Sequence, residues 1–307
     1  MPGGPPTPDS VHPGMDQRFD TISFLSDYGN VDEFVGVVHS VIRSINPHVV
    51  VIDVTHQVPP HDVRAGALTL ARSAQYLAPG VVVAVVDPGV GTDRRAIAVE
   101  VGDGASVLVG PDNGILAPAV AMVGGASRAF HLTNTSYHLS APGPTFDGRD
   151  VFAPVAAHLC AGVPLEELGT EIDPAGLRPT IIPITQLDGE VLVAEALWID
   201  HFGNIQLNVD PDEIADMGDP LSVVIEDRRR TAKRVDSFAA LGTGEVGLMI
   251  DSYGLIAIVA NQGSAADELR IRSGDEISIE PIGDEEPRRS PDGGFSVAVR
   301  LRARGEE

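Results

Sequence analysis

Four short segments bring together residue types that could do chemistry on a polar small molecule. "SDYGN" places Asp27 at the end of a strand-like run. Ligands of open parallel sheets bind beyond the carboxyl ends of strands, and a carboxylate there can accept both hydrogen bonds of a ribose diol. A turn or helix-capping aspartate would read the same way. "DPGVGTDRR" puts Asp87 where a buried strand opens to solvent, with Arg94 seven positions on. Gly89 and Gly91 would let backbone approach a ligand or simply make the turn. The loop lacks a full dinucleotide or P-loop pattern, and Asp87 would repel phosphate. "PTFDGRD" sets Asp147 beside Gly148, Arg149 and Asp150. Asp150 is expected to cap the helix that follows, which leaves Asp147 without a structural duty. "DHFGN" holds Asp200 and Asn204. An amide can read adenine by accepting and donating at once, and the carboxylate can hold an ammonium; an ordinary turn is the competing reading.

The elements that carry these segments fall into two patterns. "TISFLS", "PHVVVIDV" and "GVVVAVV" read as buried-type strands, alternating with helical spacing over Val31 to Ile45 and Val63 to Tyr76. Asp62 is the expected N-cap of the second helix. "AIAVEV" and "SVLVG" add short strands, and "RDVFAPVAAHLCAG" a closing helix. Strand–helix alternation implies a parallel sheet with helices on its faces. After the Pro-rich "GTEIDPAGLRPTIIPITQ" the pattern becomes short strands and turns: "EVLVAEALWI", "NIQLNV", "LSVVIE", "EVGLMI", "LIAIVA" and "EISIEPI". That spacing suggests a small antiparallel barrel or sandwich. The predicted layout is a tail over 1–19, an α/β domain with a mainly parallel sheet over 20–178, a smaller β-domain over 186–283 and a second tail over 284–307.

Bulk composition agrees with a globular enzyme or binding protein. A chain of 307 residues with 43% hydrophobic residues can bury a core in about two domains. Acidic residues number 44 against 21 basic, a net charge of -23, which disfavours nucleic acid as a partner. No run approaches the roughly 18 apolar residues of a membrane span, so a cytoplasmic location is expected. The single cysteine, Cys160, rules out an intramolecular disulfide and reads as a buried thiol. The nine histidines show neither HExxH nor His-x-His spacing, and no metal site is expected.

Taken together and in order, "SDYG", "DPGVGTDRR", "GPDNG", "TFDGRD", "DHFGN" and "DSYGLIAIVAN" resemble one family, the S-adenosylmethionine (SAM) hydrolases or SAM hydroxide adenosyltransferases, whose sister branches are the fluorinase and chlorinase. The resemblance runs from "ISFLSDYGNVDEFVG" to "LIAIVANQGSAADELR". It implies a larger N-terminal α/β domain with a smaller C-terminal β-barrel. It also implies a homotrimer with each active site between one subunit's N-terminal domain and its neighbour's C-terminal domain. SAM would be the substrate, with no cofactor. Asp27 matches the position that holds the ribose hydroxyls, Asp200 the one that binds the methionine ammonium, Asn204 the adenine reader and Ser252 the methionine carboxylate site. Phe238 lies near an aromatic that packs on adenine.

In the hydrolase branch an Asp-Arg-His set surrounds the attacking water. Asp87 and Arg94 match its first two members. The third is altered, because the usual "TFHGRD" is "TFDGRD" here and Asp147 stands in the histidine slot. His61, in "PPHD", departs too, since relatives carry a larger ring over the sugar. The halogenases resemble one another in a Tyr where this chain has Asp87. Two carboxylates would oppose a bare halide by about 4 kcal/mol at ~4 Å and an effective dielectric of about 20, whereas water meets no such penalty. The expectation is hydrolysis of SAM to adenosine and methionine; a SAM or adenosine sensor that has lost catalysis is the alternative, and a halogenase a weaker one.

Overall fold

The computed structural model describes residues 19–282, which divide into two compact units between Ile182 and Pro183. The expected tails lie outside the described residues except for Phe19, which is buried.

The first unit runs β1 (Thr21–Ser26), α1 (Phe34–Ile45), β2 (Val50–Thr55), α2 (Val63–Ala74), β3 (Val81–Val85), β4 (Ala96–Val101), β5 (Ser106–Pro111), α3 (Ala117–Met122), β6 (Ala126–His131), a π-helical turn at Gly148–Phe152 leading into α4 (Ala153–Cys160), α5 (Leu165–Leu168) and β7 (Thr170–Ile172). The seven strands form one sheet in the order β2-β1-β3-β5-β4-β6-β7. The strands from β2 to β5 pair in parallel, and β4, β6 and β7 extend the sheet antiparallel. Residues of β1 and β3 alternate between two cores. Ile22, Phe24, Val81, Val83 and Val85 pack under α1 and α4, while Leu25, Val82 and Ala84 face α2 and α3.

Three local readings change. β2 is an edge strand, with Val50 and Ile52 exposed, because its apolar run gains a sheet neighbour on one side only. Helix α1 begins at Phe34, not Val31: Gly29, at φ +67°, donates to the His56 carbonyl at 2.7 Å and holds the preceding residues in a loop. Helix α2 ends at Ala74, leaving Tyr76 exposed, and Asp62 caps its start by accepting from the Ala65 N–H at 2.9 Å.

The second unit contains β8 (Gln186–Asp188), β9 (Val191–Ile199), β10 (Ile205–Leu207), β11 (Leu221–Ile225), β12 (Arg228–Arg234), β13 (Val246–Ile250), β14 (Ile256–Ala260), α6 (Ala265–Leu269) and β15 (Glu276–Pro281). Pairing of β10 with both β9 and β14 closes seven strands into a barrel, and β8 hangs on the outside of β9. Inward residues such as Leu192, Ile205, Val223, Leu248, Ile258 and Ile277 fill it. β12, "RRRTAKR", carries almost no apolar signal and pairs in parallel with β13, so the barrel is not wholly antiparallel. Among the described residues, no helix is long and apolar enough to cross a membrane.

Candidate active site

Asp27 and Asp87 follow the adjacent strands β1 and β3, and so lie side by side beyond their carboxyl ends. The Asp27 N–H reaches the Val85 carbonyl at 3.3 Å. The Asp27 Oδ2 accepts the backbone N–H of His61 at 2.9 Å, and His61 takes a left-handed φ of 68° there. Asp27 Oδ2 is thus oriented by backbone.

The Asp87 loop is pinned by Gly91. At φ +78°, a Cβ on Gly91 would lie 2.8 Å from the Pro144 carbonyl oxygen, so glycine is what lets this loop meet the one carrying Asp147. Arg94 folds back across both. Its Nε lies 3.1 and 2.9 Å from the two Asp87 oxygens, and its Nη2 2.5 Å from Asp87 Oδ2. The same Nη2 also donates to Asp147 Oδ2. The side chains of Arg94, Asp87 and Asp147 are 8%, 5% and 16% exposed, so the triplet is shielded from bulk water. Burial works against the Arg94 charge, but hydrogen bonds and charge from Asp87 and Asp147 outweigh it and hold its pKa above the ordinary arginine value. Phe152 closes the back, with its ring centroid 5.5 Å from Arg94 Cζ.

Asp147 occupies the N-cap position of the π-helical turn but makes no capping bond; its carboxylate goes to Arg94 instead. Asp150 is not the cap expected from sequence. It sits buried inside the turn and accepts from Arg149 at 2.6 and 2.9 Å, because the N-cap is Asp147, three residues before the one the pattern indicates.

Asp27, His61, Asp87 and Asp147 line one cavity of about 240 Å³. Its apolar wall, which residue patterns did not single out, is Tyr28, Phe34 and Phe146, with centroids 5.1 to 5.8 Å apart and Phe146 meeting both other rings edge to face. Tyr28 and Phe146 sit inside "SDYG" and "TFDGRD", each next to the aspartate of its motif. Burial, then the negative charge of Asp27, Asp87 and Asp147, pushes the Tyr28 phenol far up, so it stays neutral.

The other expected residues lie on the barrel unit. Asp200 Oδ1 accepts from the Phe202 and Asn204 N–H groups at 2.8 and 2.9 Å, and its Oδ2 from Asn204 Nδ2 at 2.8 Å. The segment is therefore an Asx turn that leaves the side-chain Oδ1 of Asn204 outside this set of bonds, while its backbone carbonyl accepts the Asp200 N–H at 3.0 Å. Ser252 is exposed in the turn between β13 and β14, whose Asp251 accepts from Tyr253 and Leu255 N–H groups. Gln206 Nε2, two residues beyond Asn204, braces Asp251 Oδ2 at 2.5 Å. Phe238 opens a 3-10 turn and is 41% exposed. One group among the described residues could hold a metal ion, His39, Asp53 and His56, on α1 and at β2.

Models of the SAM hydroxide adenosyltransferase N-terminal and C-terminal domains match residues 22–169 and 194–278. The chain is 44% identical over 258 residues to the (R)-S-adenosyl-L-methionine hydrolase of Salinispora tropica, covering 84% of this chain and 97% of that one. The enzyme of the same name from Thermus thermophilus is 37% identical over 262 residues, covering 82% and 96%. A fluorinase from Actinopolyspora mzabensis is more distant, at 27% over 294 residues, covering 84% and 96%. An uncharacterized conserved protein of known crystal structure from Thermotoga maritima superposes with a TM-score of 0.77 at 34% identity, covering 84% of this chain and 99% of its own. Matched across both units by sequence and by fold, the chain belongs to the SAM hydroxide adenosyltransferase family.

Proposed function

We propose that this protein hydrolyses SAM to adenosine and methionine by displacement at C5′. The observation that carries the reading is the buried Asp87–Arg94–Asp147 triplet at the cavity wall, in a chain 44% identical to a SAM hydrolase. Both oxygens of Asp87 are engaged by Arg94. Asp147 gives Arg94 only its Oδ2, so its Oδ1 is the group available to hold water. Water oxygen bonds to C5′, the C5′–S bond breaks, and its electron pair stays on sulfur. Methionine leaves as a neutral thioether, and the water proton passes to Asp147. Aligning water, C5′ and sulfur could supply roughly 7–11 kcal/mol by positioning. Asp27 would hold the ribose hydroxyls, with His61 beside it and the Tyr28–Phe34–Phe146 wall excluding water.

The cavity is below the roughly 300 Å³ at which whole-ligand sites begin, which supports a site completed by other groups. In this reading Asp200, Asn204, Ser252 and Phe238 of a neighbouring subunit bind the methionine and adenine ends in a homotrimer. The enzyme acts in the cytoplasm without a cofactor.

Two carboxylates against one guanidinium leave a negative site, unsuited to a halide. Incubation of purified protein with SAM in high chloride or fluoride, read by chromatography and mass spectrometry, is expected to give adenosine and no 5′-halo nucleoside. SAM that is bound but unchanged would favour the sensor, which Asp147 in the histidine slot makes the second reading.

A further inference from the structure

Remote from the triplet in sequence, two imidazoles converge on one carboxylate oxygen. His39 Nε2, from α1, lies 2.8 Å from Asp53 Oδ1. His56 Nε2, just past β2, lies 3.0 Å from the same oxygen. The potential ligand atoms all fall within 4.8 Å of one another.

His56 makes this more than a shared hydrogen bond. It is 5% exposed, and its Nε2 lacks a hydrogen-bond partner: Asp53 Oδ1 is near enough but off the line an Nε2–H would take. Its other nitrogen, Nδ1, is 2.7 Å from Ser26 Oγ, which also accepts the Tyr28 N–H at 3.3 Å. A neutral imidazole has one N–H. If Nδ1 donates to Ser26, the Nε2 lone pair is buried facing a carboxylate, an arrangement that calls for a cation. Metal-bound histidines are held in this way, with the second nitrogen donating to a fixed partner.

We propose that His39, Asp53 and His56 bind one divalent transition metal of the zinc class. Two imidazoles and a carboxylate match that ion's ligand preference, and not the all-oxygen shells of magnesium or calcium. Donors on a tetrahedral ion with bonds of about 2.0–2.2 Å stand roughly 3.4 Å apart, so binding requires the Asp53 carboxylate to draw back by about half an ångström from each imidazole. The side chains of His39 and Asp53 are 32% and 42% exposed, so the ion has an entry path and room for water as a fourth ligand. Asp53 and His56 lie three positions apart, but His39 comes from α1, so the chain shows no complete ligand spacing. The role is structural. The metal ties α1 to β2, and the His56 carbonyl anchors Gly29, two residues from Asp27.

The test uses the full-length, tag-free chain stripped with a chelator. Calorimetry with Zn²⁺ and visible absorption with Co²⁺ measure binding, and thermal melts measure coupling to the fold. One ion per chain, a tetrahedral Co²⁺ spectrum and a higher Tm with Zn²⁺ but not Mg²⁺ are expected. His39→Gln and Asp53→Asn, both at partly exposed positions, should each weaken binding at least about tenfold, the scale of losing even an outer partner. Absent binding, Mg²⁺ binding equal to Zn²⁺, or unchanged Zn²⁺ affinity in folded His39→Gln overturns the proposal. SAM hydrolysis does not enter the readout.

Discussion

Replacing Asp147 by Asn keeps the side-chain shape and removes one charge from a site built of two carboxylates and one guanidinium. Arg94 retains all three of its contacts to Asp87, at 2.5 to 3.1 Å, so the loop should stay in place. The amide oxygen can still accept from Arg94 Nη2, and the stability loss should be about 1 kcal/mol. Catalysis should suffer more. The water gains positive charge as its oxygen bonds to C5′, and a full unit charge about 4 Å from the carboxylate would be worth ~4 kcal/mol at an effective dielectric of about 20, so about a thousandfold is the upper limit of the effect on rate. Loss of a general base is typically worth about a hundredfold or more, so the two estimates overlap. Single-turnover conversion of SAM to adenosine reads the chemical step, and SAM affinity is measured in parallel. The expected result is a drop of about 100- to 1000-fold in the chemical step with affinity kept. Wild-type turnover in Asp147→Asn would remove Asp147 from the mechanism and leave water to Asp87.

Gly148→Ala should be far from silent. An added Cβ would lie 2.0 Å from Tyr28 Oη, and the Tyr28 ring is hemmed in by Phe24, Phe34 and Phe146. A stability loss of about 1–3 kcal/mol in urea, with a raised KM because Asp27 adjoins Tyr28, is expected; wild-type values in both would show that the ring moves freely. Burial, helped by Asp20, pushes the Cys160 thiol up to about 12 from 9.0. Its folded pKa lies above the unfolded one, so its contribution to stability is present below pH 9 and is lost as pH rises toward about 12. Urea midpoints should therefore fall over that window, and less so in Cys160→Ala.

The chain announces its N-terminal unit clearly because buried strands and amphipathic helices impose different periods. It conceals what depends on pairing. β2 reads as buried from its run of valines, yet it has one neighbour; β12 is almost all polar, yet the barrel closes through it. In the candidate site, Asp27, Asp87, Arg94 and Asp147 stood out because their motifs, taken in order, resemble one family's; singly, the Asp27 and Asp87 segments read as well as turns or caps. Their convergence was not legible, because Asp147 reaches Arg94 across 53 positions of chain. The aromatic wall escaped for the opposite reason: Phe34 has an ordinary place on a helix face, and only the fold turns it toward the cavity. Asp150 shows the limit of capping rules, since a π-helical turn moved the start of the helix past it.

Water is the nucleophile at C5′ in the proposed reaction. Turnover of SAM in water enriched with heavy oxygen, followed by mass spectrometry of both products, measures this directly. The prediction is adenosine carrying one heavy oxygen at its 5′ hydroxyl and methionine carrying none. Unlabelled adenosine, or methionine that has gained the label, would contradict it.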